Sequence, residues 1–468
     1  MKQRSISDLF TEKNNNAIPI TIINKTDYKK WLGNQPAEIS NWLDRTGYKA
    51  AAGEISFLPL KKPSVIVSEG DGTDVFALCG LYSALPDGIY EIKNIRDKCK
   101  AEWITLNFAL DAYRYDNFKK GKSKKSKLVV PKSADKDSVF AMAEAFYLVR
   151  DLINTPPNMM GPDDFSTVAK EIADECKAEI AICSGKDLEK EYPSVFAVGK
   201  GSVRPPKVVT IKWGKKNAPL VSLIGKGVCF DTGGLNLKGE KSMRLMKKDM
   251  GGAAIALSLS RLIMKTKIPV SLFTVLPLVE NSPSGAAYRP SDIITSRNGK
   301  TIEIANTDAE GRVILADALD KAGEQKPKLM IDFATLTGAA RVALGPDIPP
   351  FFTNDDKIAE TITSLTKNTN ESMWRLPLYK GYNSYIDSKN ADVANSSSVP
   401  MGGAITAALF LQKFVPENTK WVHIDTYAYN DGKRNGRPEG GEAQTLRTTY
   451  ELVKALFGGG KLKPNLVK

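Results

Sequence analysis

Residues 220–234 read LVSLIGKGVCFDTGG, and this stretch decides the expected fold of the larger part of the chain. Its first five residues form a short apolar run, which predicts a strand buried on both faces. The glycines around Lys226 and Asp231 suit a tight turn in which the backbone approaches a ligand closely. The stretch does not fit the phosphate-binding pattern GxxxxGK[ST], so a nucleotide site is only weakly indicated. Ligands of parallel α/β sheets bind beyond the carboxyl ends of strands, which places a candidate site just after this run.

Similar apolar runs recur along the chain and alternate with helical patterns. Strands are predicted at residues 208–211, 220–224, 270–275, 329–333 and 421–424. Helices are predicted at residues 253–264, 313–322, 404–414 and 443–456. This alternation predicts an α/β fold with a central, mostly parallel sheet covered by helices.

The chain divides into three predicted regions. Its 468 residues exceed the ~100–200 residues of a usual domain. Residues 1–136 alternate short apolar runs, such as 56–60 and 64–67, with polar turns, which predicts a smaller N-terminal α/β domain. Residues 138–154 carry a broad apolar stripe at helical spacing, and Pro156 and Pro157 end it. We therefore expect a connecting helix and junction at 137–160 and a larger C-terminal domain at 161–468.

The bulk properties narrow the class of protein. A net charge of +13 allows nucleic-acid binding or simply many solvated lysines. The densest basic run, residues 119–127, contains no aromatic residue that could stack on bases, so an exposed loop is favoured there. The five cysteines lack CxxC spacing, which indicates reduced thiols in a cytoplasmic protein. No apolar run approaches the ~20 residues of a membrane span, and the first eight residues contain no apolar stretch, so we do not expect a secretory signal.

Two further polar clusters precede predicted helices. Residues 246–254 read MKKDMGGAA, and residues 306–312 read NTDAEGR. In an extended segment, Asp308 and Glu310 would face the same side, which is costly unless a cation lies between them. Arg312 would fall near a helix N-terminus, where backbone N–H groups favour an anion.

The clusters together offer the donors of a metal site. A histidine-rich zinc site is excluded because His423 is the only histidine. Its predicted role is structural hydrogen bonding. Each cluster alone has a simpler interpretation, since the carboxylates could be turn or capping residues and the lysines could be solvated. In combination, Asp231, Asp249, Asp308 and Glu310 suffice for two divalent ions that share an activated water, with a lysine amine as a further ligand.

The three clusters, together with RDLINTPPN at 150–158, resemble the leucyl aminopeptidase (cytosol aminopeptidase) family, peptidase family M17, over about residues 140–450. The resemblance implies a cytoplasmic metallo-exopeptidase that releases N-terminal residues from short peptides with a free N-terminus. It also implies a homohexamer and a catalytic domain at 161–468.

The resemblance also assigns roles to individual residues. One metal ion would be held by Lys226, Asp231, Asp249 and Glu310. The other would be held by Asp231, Asp308 and Glu310. The metals could be Zn, Mn or Mg. Lys238 would polarise the scissile carbonyl, and Arg312 would bind a bicarbonate that acts as general base. The positions near the pocket for the first side chain are Met246, Thr335 and Gly338.

One segment departs from the better-known members. After His423, those members continue with small residues, whereas this chain has Tyr427 and Tyr429, and RPEGGEAQ follows at 437–444 as in a bacterial subgroup. We therefore expect Tyr427 to contribute to a narrowed or more polar first pocket. Dominant hydrolysis of Leu and Met aminoacyl-coumarins would contradict this expectation. Two other classes stay open: a DNA-binding accessory protein and an inactive peptide-binding scaffold, although the presence of Lys238 and Arg312 argues against the second.

Overall fold

The protein is described by a computed structural model that covers residues 5–12, 14–121 and 124–458. Its contacts divide the chain into two compact units. The first comprises Met1–Tyr147 and Asn430–Gly440, and the second comprises Leu148–Tyr429 and Gly441–Lys468. The sequence had placed residues 430–440 with the C-terminal domain. By their contacts these residues group with the first unit, in which Arg437 lies over the ring of Phe76.

The first unit is built on a six-stranded sheet. Its strands are β1 (Phe10–Thr11), β2 (Ile18–Ile23), β3 (Ile55–Leu58), β4 (Ser64–Ser68), β5 (Gly88–Ile92) and β6 (Ser126–Val129). Its helices are α1 (Lys25–Gly33), α2 (Ala37–Arg45), α3 (Leu81–Ala84), α4 (Lys98–Asp111) and most of α5 (Lys136–Asn154). The strand order is β1-β6-β5-β2-β4-β3, and every pair except β3–β4 is parallel. The predicted α/β character is therefore confirmed.

The lysine-rich run before β6 is only partly described. Residues 122 and 123 lie outside the described residues, and Lys119, Lys120 and Lys125 are exposed. The last two residues of the run, Ser126 and Lys127, already belong to β6.

The second unit contains the large central sheet. Its strands are β7 (Glu179–Ser184), β8 (Lys207–Trp213), β9 (Leu220–Gly225), β10 (Gly227–Asp231), β11 (Ser271–Asn281), β12 (Ile293–Thr295), β13 (Thr301–Glu303), β14 (Leu329–Ala334), β15 (Pro350–Thr353), β16 (Trp374–Arg375), β17 (Val393–Ala394) and β18 (Trp421–Asp425). Two short strands, β19 (Tyr429–Asn430) and β20 (Gly440–Gly441), lie where the chain passes between the units.

Helices flank this sheet along the second unit. They are α6 (Pro162–Cys176), α7 (Gly185–Glu191), α8 (Pro193–Gly199), α9 (Glu240–Met243), α10 (Gly251–Thr266), α11 (Glu310–Gly323), α12 (Gly338–Leu344), α13 (Asp356–Thr369), α14 (Gly403–Gln412) and α15 (Leu446–Phe457). Short 3-10 helices span Ile6–Leu9, Pro157–Met159, Met246–Met250 and Lys380–Ile386. Among the described residues, no helix is long and apolar enough to span a bilayer.

The central sheet is parallel where it carries the candidate site. Its order is β16-β15-β18-β14-β9-β11-β8-β7, with β10 paired to β11. The neighbours β18, β14, β9 and β11 are parallel to one another. The mostly parallel sheet is therefore confirmed, although β8, which was predicted as one of its strands, runs antiparallel to β11.

Glycines let α10 approach the ends of the central strands. A Cβ on Gly225 would lie 2.5 Å from Ala253 Cα, and one on Gly252 would lie 2.1 Å from the carbonyl oxygen of Phe333. Both distances are impossible for a real side chain. The Gly-rich segments therefore let the helix start and the strand ends meet, which holds Lys226 and Asp249 close together.

The single histidine is part of a buried network between β14 and β18. His423 Nδ1 lies 2.6 Å from Asp332 Oδ1, and Trp421 Nε1 donates to Asp332 Oδ2 over 2.7 Å. The rings of Phe352 and Trp421 stack on the imidazole. These contacts agree with the predicted structural role, because a fully buried carboxylate needs such partners.

A buried ion pair within the second unit carries a stability prediction. The guanidinium of Arg150 is fully buried, and Nη2 lies 3.3 Å from each carboxylate oxygen of Glu442. Removing one partner of a buried pair costs about 3–5 kcal/mol. We expect Glu442→Ala to lower the free energy of unfolding by that amount in urea titrations. The control is Asp356→Ala, which breaks an exposed pair with Arg375 and should cost less than about 1 kcal/mol. Equal effects of both substitutions would contradict the prediction.

Candidate metal centre

Three chain segments bring the predicted charged residues together beyond the carboxyl ends of the central strands. Lys226 directly follows β9, and Asp231 is the last residue of β10. Asp249 lies in the 3-10 helix Met246–Met250, and Glu310 is the first residue of α11. Asp308 lies in the turn before that helix. All of these side chains except that of Asp308 are buried.

The carboxylates form a compact group of oxygen donors. One carboxylate oxygen from each of Asp231, Asp308 and Glu310 lies within 4.8 Å of the others. Asp249 is linked to this group through Lys226, whose Nζ lies 2.8 Å from Asp249 Oδ2 and 2.8 Å from Glu310 Oε1. The predicted metal-ligating residues therefore meet in one place.

Two ammonium groups lie among the four carboxylates. Lys226 bridges Asp249 and Glu310 as described, and Lys238 Nζ lies 2.8 Å from Asp231 Oδ2 and 2.5 Å from Asp308 Oδ1. Four carboxylates and two ammonium groups leave two negative charges uncompensated if all are ionised. Such an excess of negative charge is expected of a site that binds divalent cations.

The directions in which the pKa values shift agree with this excess of negative charge. Burial, reinforced by Asp231, raises the pKa of Glu310, and burial together with Asp249 raises the pKa of Asp231. Burial opposes a charge on Lys226, but the surrounding carboxylates outweigh it and raise the pKa of this lysine. Glu310 Oε2 is buried and has no hydrogen-bond partner among the described residues. Hard oxygen donors with this charge fit divalent ions such as Zn²⁺, Mn²⁺ or Mg²⁺.

The geometry of Asp308 and Glu310 differs from the expected extended segment. Helix α11 begins at Glu310, three residues earlier than predicted, and Asp308 lies in a turn. The side chain of Asn306 closes this turn by accepting a hydrogen bond from the backbone N–H of Asp308 over 2.8 Å. The two carboxylates still converge. They do so through a turn and a helix start, where a negative charge is favoured, and not through strand alternation.

Asn281 supports the carboxylates and was not identified from the sequence. It is the last residue of β11, and its Nδ2 donates to Asp231 Oδ1 over 2.9 Å and to the carbonyl oxygen of Thr307 over 3.0 Å. It thereby ties the end of β10 to the turn that carries Asp308. No sequence signal pointed to it, because the predicted strand ended at Val275 and Asn281 lies beyond that point.

Replacing Asn281 should weaken metal binding. Loss of a partner that orients a metal-ligating carboxylate costs roughly 10–100-fold in metal affinity. We expect Asn281→Leu to show this loss when Mn²⁺ is titrated calorimetrically into chelator-stripped protein. The matched control is Asn354→Leu. Asn354 also forms hydrogen bonds with the backbone through its side-chain amide, but it does so at Trp421, the first residue of β18, whereas the candidate metal centre lies beyond the carboxyl ends of the strands. Equal losses in both variants would show that the effect is a general one on stability.

Arg312 occupies the third position of α11 and is buried. Burial lowers the pKa of its guanidinium to about 10. Nη1 donates to the carbonyl oxygen of Asn395 over 2.8 Å, while Nε is buried and has no hydrogen-bond partner among the described residues. Asn395 also went unidentified in the sequence, although its side chain accepts from the backbone N–H groups of Ala305 and Asn306. The arrangement leaves a buried N–H donor suited to an anion.

The predicted pocket residues differ in how closely they approach the carboxylates. Thr335 is in contact, because its Oγ1 donates to Asp249 Oδ1 over 2.7 Å and its carbonyl oxygen accepts from Lys226 Nζ over 2.9 Å. Met246 is half-buried in the same 3-10 helix as Asp249. Gly338 begins α12 and is exposed, and a Cβ there would meet no atom within 4 Å. The ring of Tyr427 lies 4.5 Å from Lys248 Nζ.

Family models match both parts of the chain. The model described as the cytosol aminopeptidase family, catalytic domain, matches residues 147–450. The model described as the M17 aminopeptidase N-terminal domain matches residues 18–131.

Individual relatives agree with these matches. A probable cytosol aminopeptidase of Rhizobium leguminosarum bv. trifolii is 40% identical over 76% of this chain and 74% of its own. A probable cytosol aminopeptidase of Rhodococcus jostii is 37% identical over 75% of this chain and 74% of its own. The crystal structure of a cytosol aminopeptidase from Coxiella burnetii superposes with a TM-score of 0.93 at 42% identity, covering 96% of this chain and all of that one. The structure of the bottromycin maturation enzyme BotP in complex with Mn superposes with a TM-score of 0.85 at 31% identity, covering 94% of this chain and 99% of that one.

Proposed function

Because the chain belongs to the cytosol aminopeptidase family, peptidase family M17, we propose that it releases single N-terminal residues from short peptides at a site that binds two metal ions. It is an aminopeptidase-type hydrolase of a metal-dependent family that acts on peptides. The proposal rests chiefly on one observation, the convergence of the buried carboxylates of Asp231, Asp249 and Glu310 with Asp308 around two lysines.

The division of the metal ligands into two sets is the one that the family resemblance implies, and the proximity of the donor atoms supports it. Lys226, Asp231, Asp249 and Glu310 would hold one ion, and Asp231, Asp308 and Glu310 would hold the other. Ligation by Lys226 requires the neutral amine, so its proton must leave when a cation binds beside it. The bound ions would supply an activated water and a Lewis acid for the peptide carbonyl. Zn, Mn and Mg all suit these oxygen donors, and the Mn complex of BotP favours testing Mn first.

Lys238 and Arg312 would serve the reaction itself. The ammonium of Lys238 is placed at the carboxylate group and would stabilise the negative charge that develops on the carbonyl oxygen. Arg312 would hold a bicarbonate through its buried N–H group at the start of α11, and this anion would accept a proton from the attacking water.

The free amine of the substrate would bind at the metal centre, and the enzyme would therefore require a peptide with a free N-terminus. Thr335, Met246, Gly338 and Tyr427 would surround the first side chain of the peptide. The test compares Leu-Gly-Gly with N-acetyl-Leu-Gly-Gly by mass spectrometry of the products. We expect free leucine only from the unblocked peptide. Equal cleavage of the acetylated peptide would overturn the proposal.

We further propose a homohexamer, as the family resemblance implies. Light scattering on the eluted protein should give six times the chain mass of 51.1 kDa. A monomeric mass at micromolar concentration would reject this assembly.

A second function as a DNA-binding accessory protein is motivated by the net charge of +13. A gel-shift assay with duplex DNA at low and high salt tests it, because phosphate contacts weaken steeply with salt. No shift at low salt would reject this role.

A further inference from the structure

A buried lysine lies beside the candidate metal centre, and no carboxylate of the described residues forms an ion pair with it. Lys248 immediately precedes Asp249, and only 3% of its surface is exposed. Its Nζ makes no hydrogen bond or ion pair with any residue that the structure describes. The contact it does make is with the ring of Tyr427, whose centroid lies 4.5 Å away. Burial of an ammonium group is costly unless an anion or a π-face lies nearby, and the ring meets that need only in part.

A second cation lies against the same ring. The guanidinium of Arg341 is 5.6 Å from the centroid of Tyr427, and its side chain is 22% exposed. Arg341 Nη1 lies 3.3 Å from Asp425 Oδ1. Two basic side chains therefore lie against one aromatic ring, and Asp425 is the carboxylate that pairs with Arg341.

Asp425 is already occupied by other donors. Its oxygens accept from the backbone N–H groups of Leu336 and Thr337 and, over 2.6 Å, from the hydroxyl of Thr337. This carboxylate fixes the loop before α12 and is shared among these donors. The surroundings of Tyr427 therefore present two basic side chains, Lys248 and Arg341, next to a centre that is rich in carboxylates.

The position of this charge matches the pocket assigned to the first side chain. Lys248 lies between Met246 and Asp249 in the 3-10 helix, and Thr335 bonds Asp249 directly. Tyr427 belongs to the segment where better-known members have small residues. We propose that Lys248 and Arg341 form a carboxylate-binding subsite that makes Asp or Glu a favoured N-terminal residue; this inference rests on the proposed aminopeptidase function. The ring of Tyr427 lies against both basic side chains and narrows the pocket, so large apolar side chains such as Leu are cleaved more slowly than Glu but are not excluded.

A panel of aminoacyl-coumarins tests the inference on the metal-loaded protein. The coumarin leaving group has no carboxylate, so a Glu substrate carries its only carboxylate on the side chain. Gln is its neutral counterpart of the same shape. We expect kcat/KM for Glu to exceed that for Gln by about tenfold or more, as one charge-assisted hydrogen bond provides. Hydrolysis of Leu and Met without preference for Glu over Gln would overturn the subsite but leave the aminopeptidase function intact. Hydrolysis of no substrate would overturn both.

Substitutions locate the preference. Lys248→Met should lower the Glu-to-Gln ratio by about tenfold, since it removes the buried charge and keeps the length of the side chain. Lys247→Met is the matched control, because Lys247 is the neighbouring residue but donates to the carbonyl oxygen of Asn154 over 2.9 Å. It should keep the ratio within about twofold. Equal losses in both variants would show that the preference for Glu arises from the overall electrostatic potential of the region and not from Lys248, and would overturn the subsite.

Product inhibition provides a measurement that needs no variant. L-Glutamate should inhibit the unaltered protein at concentrations about tenfold lower than L-glutamine does, because it carries the same side-chain carboxylate. Equal inhibition by the two amino acids would overturn the inference even if Lys248→Met failed to fold.

Discussion

Asp308→Asn is expected to reduce kcat/KM for an unblocked peptide by at least about 10³, which is the largest effect of any single substitution considered. Loss of a group that merely orients a ligand already costs roughly 10–100-fold, so loss of a ligand oxygen should cost more. The amide introduced by this substitution would keep the shape of the side chain but remove one of the negative charges that face Glu310 and Lys238. The measurement is steady-state hydrolysis of Leu-Gly-Gly at saturating Mn²⁺.

The same variant separates catalysis from folding. Its circular dichroism and urea midpoint should match the unaltered protein within error, because Asp308 lies in a half-buried turn and not in the core. The control is Asp187→Asn, an exposed aspartate in α7 that should keep full activity. An Asp308→Asn protein with activity within a few-fold of the original would contradict the assignment of this residue as a metal ligand.

Lys238→Met is expected to lower kcat by about 10²–10³ while KM changes little, the second-largest effect. Removal of one group that stabilises a developing oxyanion has an effect of this size. An interaction made only in the transition state lowers kcat and kcat/KM together, whereas a binding contact would raise KM alone. Single-turnover and steady-state rates on Leu-coumarin distinguish the two.

Metal affinity provides the control for Lys238. Its Nζ contacts Asp231 and Asp308, so loss of activity could arise from weaker metal binding. Titration of Mn²⁺ into the variant should show unchanged or tighter binding, because a competing positive charge has been removed. Weaker binding that fully accounts for the lost rate would contradict the role of Lys238 at the carbonyl.

The fold followed from local pattern in the central strands, but their limits required the tertiary structure. β9, β14 and β18 lie where apolar runs predicted them. β11 was expected to end at Val275 and instead continues through Pro277 to Asn281. Pro277 is tolerated because it lies in a gap between two neighbouring strands. β9 pairs with β11 only as far as Val275, and the pairing of β10 with β11 starts at Leu278. The pattern of one strand cannot show such a gap between its neighbours.

The candidate site was predictable where its chemistry lies within short motifs. Asp231, Asp249, Asp308 and Glu310 stand out because clustered carboxylates next to glycines and helix starts are hard to explain without a cation. The supporting contacts are different, since Asn281 reaches Asp231 from 50 residues away along the chain. The approach of Lys248 to Tyr427 joins segments even farther apart, and of the two only Tyr427 was identified from the sequence.

The most direct test of the metal-dependent aminopeptidase assignment is removal and return of the metal. Protein stripped with a chelator should hydrolyse none of a panel of unblocked aminoacyl substrates. Addition of Zn²⁺, Mn²⁺, Co²⁺ or Mg²⁺ in separate samples should restore hydrolysis with at least one ion, because oxygen-rich sites of this charge accept several divalent metals. Full activity in the stripped protein, or no activity with any of the four ions, would contradict the account.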